Sequence, residues 1–164
     1  RFTNDVTIGR DGILLFTDSS TRWSRRDVIY AVIEVCPLNP EITNDIGKGD
    51  GRIFSYDPKK NRTTLLASGL YFPNGIQISE DQRSILFVET TRFRISRLYL
   101  SGPGKGTIEP VLENLPGVPD NIRYQEETKS YWIGCSMKRS QPFSLMDMLR
   151  PYPSLIKVSS LLIE

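Results

Sequence analysis

Three stretches of this 164-residue chain spell one pattern, and that repetition constrains the fold more than any other feature. In the most complete copy, residues 73–91 read Pro-Asn-Gly-Ile-Gln-Ile-Ser-Glu-Asp-Gln-Arg-Ser-Ile-Leu-Phe-Val-Glu-Thr-Thr. This is a short strand, a polar turn and a second, more apolar strand. An earlier copy runs from Asn4-Asp5-Val6-Thr7-Ile8 through Arg10-Asp11-Gly12 into residues 13–20. A later one runs from Asp120-Asn121-Ile122-Arg123-Tyr124 through 125–130 into 131–136. Each copy sets an amide or an acid at the same place, just ahead of its first strand. One such unit cannot bury its own apolar face, so the copies must stack on one another.

The segments between copies also alternate. Residues 52–56, 63–67, 94–100 and 107–113 read as strands, punctuated by Asp57-Pro58-Lys59-Lys60-Asn61, Ser68-Gly69, Ser101-Gly102-Pro103-Gly104-Lys105-Gly106 and Pro116-Gly117. Asn4 and Asn74 stand 70 positions apart and enclose four strands plus a polar excursion over 21–50. Asn74 and Asn121 stand 47 apart and enclose four strands. Four antiparallel strands per roughly 40–50 residues make a propeller blade. The first strand of each blade lines the central channel, so its leading residue points at the axis. The expected fold is all-β: two full propeller blades and the inner half of a third. The expected divisions are 1–70 (a blade with an insertion at 21–50), 71–117 (a blade) and 118–164 (a half blade plus an insertion). Within the insertions, 28–33 suits a short helix or an extended run, and 143–149 suits a short helix with an apolar face.

Composition narrows the function. Lys plus Arg number 21 against 19 Asp plus Glu, a net of +2, too even to argue for nucleic acid or an anionic membrane surface. No apolar run is long enough to span a bilayer. The chain opens mid-pattern without Met, reads as a fragment, and leaves room for an anchor upstream. It has no His, which removes Ser-His-Asp and Cys-His machinery and the commonest transition-metal ligand from this segment. Cys36 and Cys135 allow one disulfide at most, at a spacing that fits no zinc pattern. Within Trp132-Ile133-Gly134-Cys135, the expected role of the cysteine is that of a small buried hydrophobe.

Several motifs fall in a familiar order: Phe72-Pro73-Asn74-Gly75, Phe87-Val88-Glu89-Thr90-Thr91, Ser101-Gly102-Pro103-Gly104-Lys105-Gly106 and Pro119-Asp120-Asn121-Ile122. Phe16-Thr17-Asp18-Ser19-Ser20, Trp23, Arg25-Arg26-Asp27 and Phe143-Ser144-Leu145-Met146-Asp147 extend the match over nearly the whole chain. Together they resemble the strictosidine synthase-like family. That resemblance implies a six-bladed β-propeller related to the paraoxonases and gluconolactonases. In the calcium-dependent lactonases and arylesterases among those relatives, a metal sits in the channel on an Asn of an Asn-Gly pair and an Asp of an Asp-Asn or Asp-Gly pair. Carried over by position, the metal ligands are Asn74 and Asp120, with Asn121 beside them. Asn4 and Asp18 come out near the metal or the substrate. Oxygen ligands without His or paired Cys suit a hard cation such as Ca²⁺. The ion would polarise an ester or lactone carbonyl. Each of these residues also has a plain structural reading, as a turn former or a channel-edge hydrogen bond. The catalytic residues stay unassigned, and the same holds for Glu89 as an acid or base.

Two functions remain open at this point. One is a calcium-dependent arylesterase or lactonase taking a small-molecule substrate, the other a non-catalytic binding propeller. Asn61-Arg62-Thr63 is an N-glycosylation sequon on an outer hairpin. It fits the lumenal or extracellular, membrane-anchored placement that the resemblance implies.

Overall fold

The computed structural model describes residues 2–28, 32 and 49–139. Ten strands run through them: β1 (Thr3–Ile8), β2 (Leu14–Asp18), β3 (Gly51–Asp57), β4 (Arg62–Leu70), β5 (Pro73–Ile78), β6 (Ser84–Glu89), β7 (Arg94–Tyr99), β8 (Ile108–Leu112), β9 (Gly117–Gln125) and β10 (Ser130–Lys138). The first four form one antiparallel sheet in sequence order, the next four a second, and β9 pairs with β10. These are two propeller blades and the inner half of a third, as the repeat predicts. The 28–33 segment falls almost wholly outside the described residues, and 143–149 and Cys36 fall entirely outside them.

β6 shows why the copies must stack. Every residue of Ser84–Glu89 is buried. Ile85 and Phe87 pack with Leu15 and Ile53 of the first blade and with Ile76 and Ile78 of β5. The intervening Leu86 and Val88 pack the other way, with Ile122 of β9. Alternate side chains therefore fill two separate inter-blade cores. A strand covered on both faces reads as a continuous apolar run, here Ile85-Leu86-Phe87-Val88. Phe87 is fully buried, and such burial contributes about 1.5–3 kcal/mol.

The amide or acid of each copy is not ahead of the strand but inside it, in a bulge. In β1 the register runs Thr3↔Asp18 and then Val6↔Phe16, so Asn4 and Asp5 together face the single residue Thr17. In β5 it runs Pro73↔Glu89 and then Ile76↔Phe87, so Asn74 and Gly75 face Val88. In β9 it runs Pro119↔Cys135 and then Ile122↔Ile133, so Asp120 and Asn121 face Gly134. An extra residue re-aims a side chain and sharpens the local twist, and such bulges concentrate beside active sites.

The inner strands β1, β5 and β9 lie side by side, and each supplies side-chain acceptors to the next. Asp5 Oδ2 accepts from the Ile76 N–H at 2.9 Å. Gln77 Oε1 accepts from the Tyr124 N–H at 3.4 Å. The approach is closest at Gly75, where a Cβ would stand 2.6 Å from both Asn121 Cα and Ile122 N. Backbone cannot yield there without parting the blades. Gly75→Ala should cost about 1–3 kcal/mol by urea melting of the full-length protein, the ordinary cost of overpacking. A loss below about 0.5 kcal/mol, the range of neutral surface changes, would show that the blades separate without strain.

Candidate functional site

The bulges place matched polar groups at one end of the inner strands. Asn4 Nδ2 donates to Ser19 Oγ at 3.0 Å, and Ser19 Oγ donates to the Pro73 carbonyl of the next blade at 2.7 Å. One blade on, Asn74 Nδ2 donates to Thr90 Oγ1 at 3.3 Å, and Thr90 Oγ1 donates to the Pro119 carbonyl at 2.9 Å. The relay runs from bulge amide to hydroxyl to neighbouring backbone, and it ties each blade to the next. It also fixes which way the amide faces. With Nδ2 held by Thr90, Asn74 Oδ1 is buried and has no hydrogen-bond partner among the described residues, on a residue only 6% exposed.

The third unit breaks the relay. Asp120 occupies the position of Asn4 and Asn74, and a carboxylate cannot donate as an amide does. Ser136 Oγ, which stands where Ser19 and Thr90 stand, donates instead to the Val118 carbonyl of its own sheet at 3.4 Å. Asp120 is half-buried, with no hydrogen bond or ion pair among the described residues. A buried amide oxygen and a carboxylate, both uncommitted, therefore sit at equivalent places on adjacent strands. An uncommitted buried oxygen carries a desolvation cost that a ligand would remove.

The other expected residues fare differently. Asn121 is exposed and stands in the second bulge position, matched to Asp5 and Gly75 rather than to Asn74. Asn4 is half-buried and engaged in its relay. Asp18 is 2% exposed, and both its oxygens are used: Oδ1 accepts from the Phe2 N–H at 2.9 Å, and Oδ2 pairs with Arg52. Glu89 repeats this arrangement one blade on. Its Oε1 accepts from the Tyr71 N–H at 3.2 Å, and its Oε2 pairs with Arg94 at 2.6 Å. In both blades a buried acid at the end of the second strand holds an Arg directly across the ladder, on the third. The acid position of the third unit is Cys135, across from Pro119. It is exposed rather than buried, because β10 is an edge strand among the described residues.

Three features of the neighbourhood escape a reading of the sequence. Across the inner strands, Asp5 reaches over β5 to form a two-pronged pair with Arg123, at 2.7 Å and 2.8 Å. That pair raises the Arg123 pKa above its ordinary value, by the hydrogen bond first and against desolvation. Asp50 gathers the chain after β2: its Oδ2 accepts from Ser20 Oγ, from Thr21 N and Oγ1, and from Arg22 N. Burial pushes the Asp50 carboxyl up, and these hydrogen bonds outweigh it, leaving its pKa below the ordinary value. Arg92 lies over the Tyr71 ring, 3.5 Å from its centroid. The paired hydroxyls at the ends of the copies, Ser19-Ser20 and Thr90-Thr91, are the only trace of the relay that the sequence carries.

Residues 4–103 match the family model of strictosidine synthase. The chain belongs to the strictosidine synthase family. It is 40% identical over 159 residues to the adipocyte plasma membrane-associated protein of Danio rerio, covering 96% of this chain and 35% of that one. The chain thus spans about a third of the length of the curated relatives it matches. Two solved structures resemble this strictosidine synthase-family fold at low identity. One is a gluconolactonase from Xanthomonas campestris, with a TM-score of 0.55 and 18% identity over 81% of this chain and 40% of that one. The other is the calcium-binding protein regucalcin from Agrobacterium tumefaciens, with a TM-score of 0.53 and 20% identity over 80% of this chain and 37% of that one. Both likenesses bear on the fold alone.

For a metal, the donors can be weighed by type. Among the described residues, no three His, Cys, Asp or Glu side chains cluster as a metal site. Asn74 Oδ1 and the Asp120 carboxylate nonetheless fit a hard cation, being oxygen donors with no other commitment.

Proposed function

We propose that this strictosidine synthase-family propeller is a calcium-dependent hydrolase of carboxylic esters or lactones, acting at the channel end that carries Asn74 and Asp120. One observation carries the reading: the relay through Thr90 turns Asn74 Oδ1 into a buried position without a partner among the described residues, at the place where the next strand offers Asp120. The proposal extends to this chain what the names of two proteins of similar fold say of them, calcium binding for one and gluconolactonase for the other. Asn74 and Asp120 would hold the ion, with Asn121 at the edge. When bound, calcium supplies a Lewis acid for the ester carbonyl. The chain itself supplies orientation. Thr90 fixes the Asn74 amide, and the blade-to-blade relay keeps β5 and β9 in step. Arg123, paired through both Nη atoms with Asp5, ties β9 to β1 across β5. The test compares the full-length protein in calcium and in a chelator. Calcium should raise its melting temperature and support hydrolysis of neutral aryl esters. Retained calcium stabilisation without turnover of any ester or lactone would favour a binding propeller instead.

We propose further that the propeller is membrane-anchored and faces the lumen or the extracellular space; the membrane-associated name of the Danio rerio relative supports the membrane association. No helix among the described residues is long and apolar enough to cross a membrane. The sequon fits that placement. Asn61 lies on the exposed turn between β3 and β4 at φ 46°, where Tyr56 Oη donates to its Oδ1 at 3.0 Å. In animal cells Asn61→Gln should remove one glycan-sized mobility step. An unchanged band, equally insensitive to deglycosylation, would place this face away from the secretory lumen.

A further inference from the structure

Arg92 sits at the same end of the fold as Asn74 and Asp120, on the 3₁₀ turn Thr90–Arg92 that joins β6 to β7. The turn opens with Thr90, the residue that holds the Asn74 amide. The guanidinium stacks on Tyr71, three residues before Asn74, at 3.5 Å from the ring centroid. Thr91 Oγ1 donates to the Tyr71 carbonyl at 3.3 Å and so locks the stacking partner in place. The cation is thus rigidly held. It is also unpaired: Arg92 Nε is buried without an acceptor, and no carboxylate pairs with Arg92 among the described residues. The nearby acids are taken, since Arg94 holds both Glu89 at 2.6 Å and Glu113 at 3.6 Å. A half-buried guanidinium without a counter-ion is costly to keep, and an aromatic face offsets only part of that cost. A planar, pre-oriented guanidinium suits one ligand group above others, a carboxylate gripped through two parallel N–H···O bonds.

We propose that Arg92 is a specificity-determining residue that binds a carboxylate on the substrate, so that the preferred substrates of the site are esters or lactones carrying a free acid group. This rests on the hydrolase reading for its substrate class, while the anion site itself does not. Arg92 makes no bond to the ester. It anchors the far end of the substrate, leaving the carbonyl to the end of the channel marked by Asn74 and Asp120.

The test uses the full-length protein and two matched probes, 4-nitrophenyl acetate and the mono-4-nitrophenyl ester of glutaric acid. Arg92→Gln should lower kcat/KM for the glutarate ester about tenfold or more, as expected for loss of a charge-assisted pair. It should leave the acetate ester within about twofold, a change too small to reflect a lost hydrogen bond. Arg92→Lys, which keeps the charge without the fork, should fall between. Glutarate alone should raise the melting temperature of the wild type and not of Arg92→Gln. Equal losses on both esters, or no loss on either, would overturn the proposal while the hydrolase reading stood. If neither ester is turned over, the hydrolase reading fails and the glutarate melt decides. An Arg92-dependent shift then keeps the anion site, and no shift in the wild type removes it.

Discussion

Glu89→Ala should cost this protein about 3–5 kcal/mol, the usual penalty for breaking a buried ion pair by removing one partner. Glu89 is 1% exposed and closes four contacts at once. It accepts from Arg94 Nε at 2.6 Å and from Arg94 Nη2 at the same distance, from Ser96 Oγ at 2.8 Å and from the Tyr71 N–H at 3.2 Å. Among the described residues, truncation leaves Arg94, whose side chain is 17% exposed, with only Glu113 at 3.6 Å on the surface. It also strands the Tyr71 amide at the junction of β4 with β5, next to the bulge. The effect should therefore appear in urea melts as a lowered midpoint and also reach the site. Replacing both partners together, Glu89→Leu with Arg94→Met, should recover most of the loss, because no unpaired charge remains. A single-variant loss below about 1 kcal/mol would mean that water reaches Arg94 freely and that the pair behaves like a surface one.

The acid–arginine pairs also show what the sequence discloses and what it withholds. Every strand was legible, since turn chemistry brackets each apolar or alternating run, from Asp57-Pro58 to Ser101-Gly102. The more apolar character of β6 was legible as well, while its burial on both faces emerges only from the packing of the two blades around it. The bulges were not. Asn74-Gly75 carries the composition of a turn, and nothing local says that it stands within a strand with one residue opposite two. That fact belongs to the pairing with β6 and appears only once the register is known. The relay is hidden for a related reason, since Thr90 and Pro119 lie 29 positions apart and meet only because adjacent blades stack. The engagement of Asp18 is hidden in the same way. Its partner Arg52 lies beyond the 21–50 insertion, and only the β2–β3 ladder brings the two together. For Asn74 and Asp120, the repeat supplied the equivalence, and the structure added the uncommitted oxygens.

Asp120→Ala should abolish the calcium response of the full-length protein while leaving its calcium-free stability nearly unchanged. The second half of that expectation makes the variant informative. Asp120 holds nothing in place among the described residues, so its removal should fall within about 0.5 kcal/mol of neutral, as for surface substitutions away from special features. Asn74→Ala lacks this clarity, because it also cuts the bond to Thr90 and loosens the tie to Pro119. A ligand that binds only the folded state at a hundred times its dissociation constant stabilises it by about 2.7 kcal/mol. In the wild type, millimolar calcium should produce a shift of that order. In Asp120→Ala the melts with calcium and with chelator should superimpose, and aryl-ester hydrolysis should fall by at least about a hundredfold, the scale of losing transition-state charge stabilisation. Asn121→Ala, altering an exposed side chain in the other bulge position, should do much less. If Asp120→Ala keeps the full calcium shift, the ion is held elsewhere. If the wild type shows no shift and hydrolysis persists, neither Asn74 nor Asp120 holds a metal needed for the reaction, and the buried Asn74 oxygen must be met by another ligand.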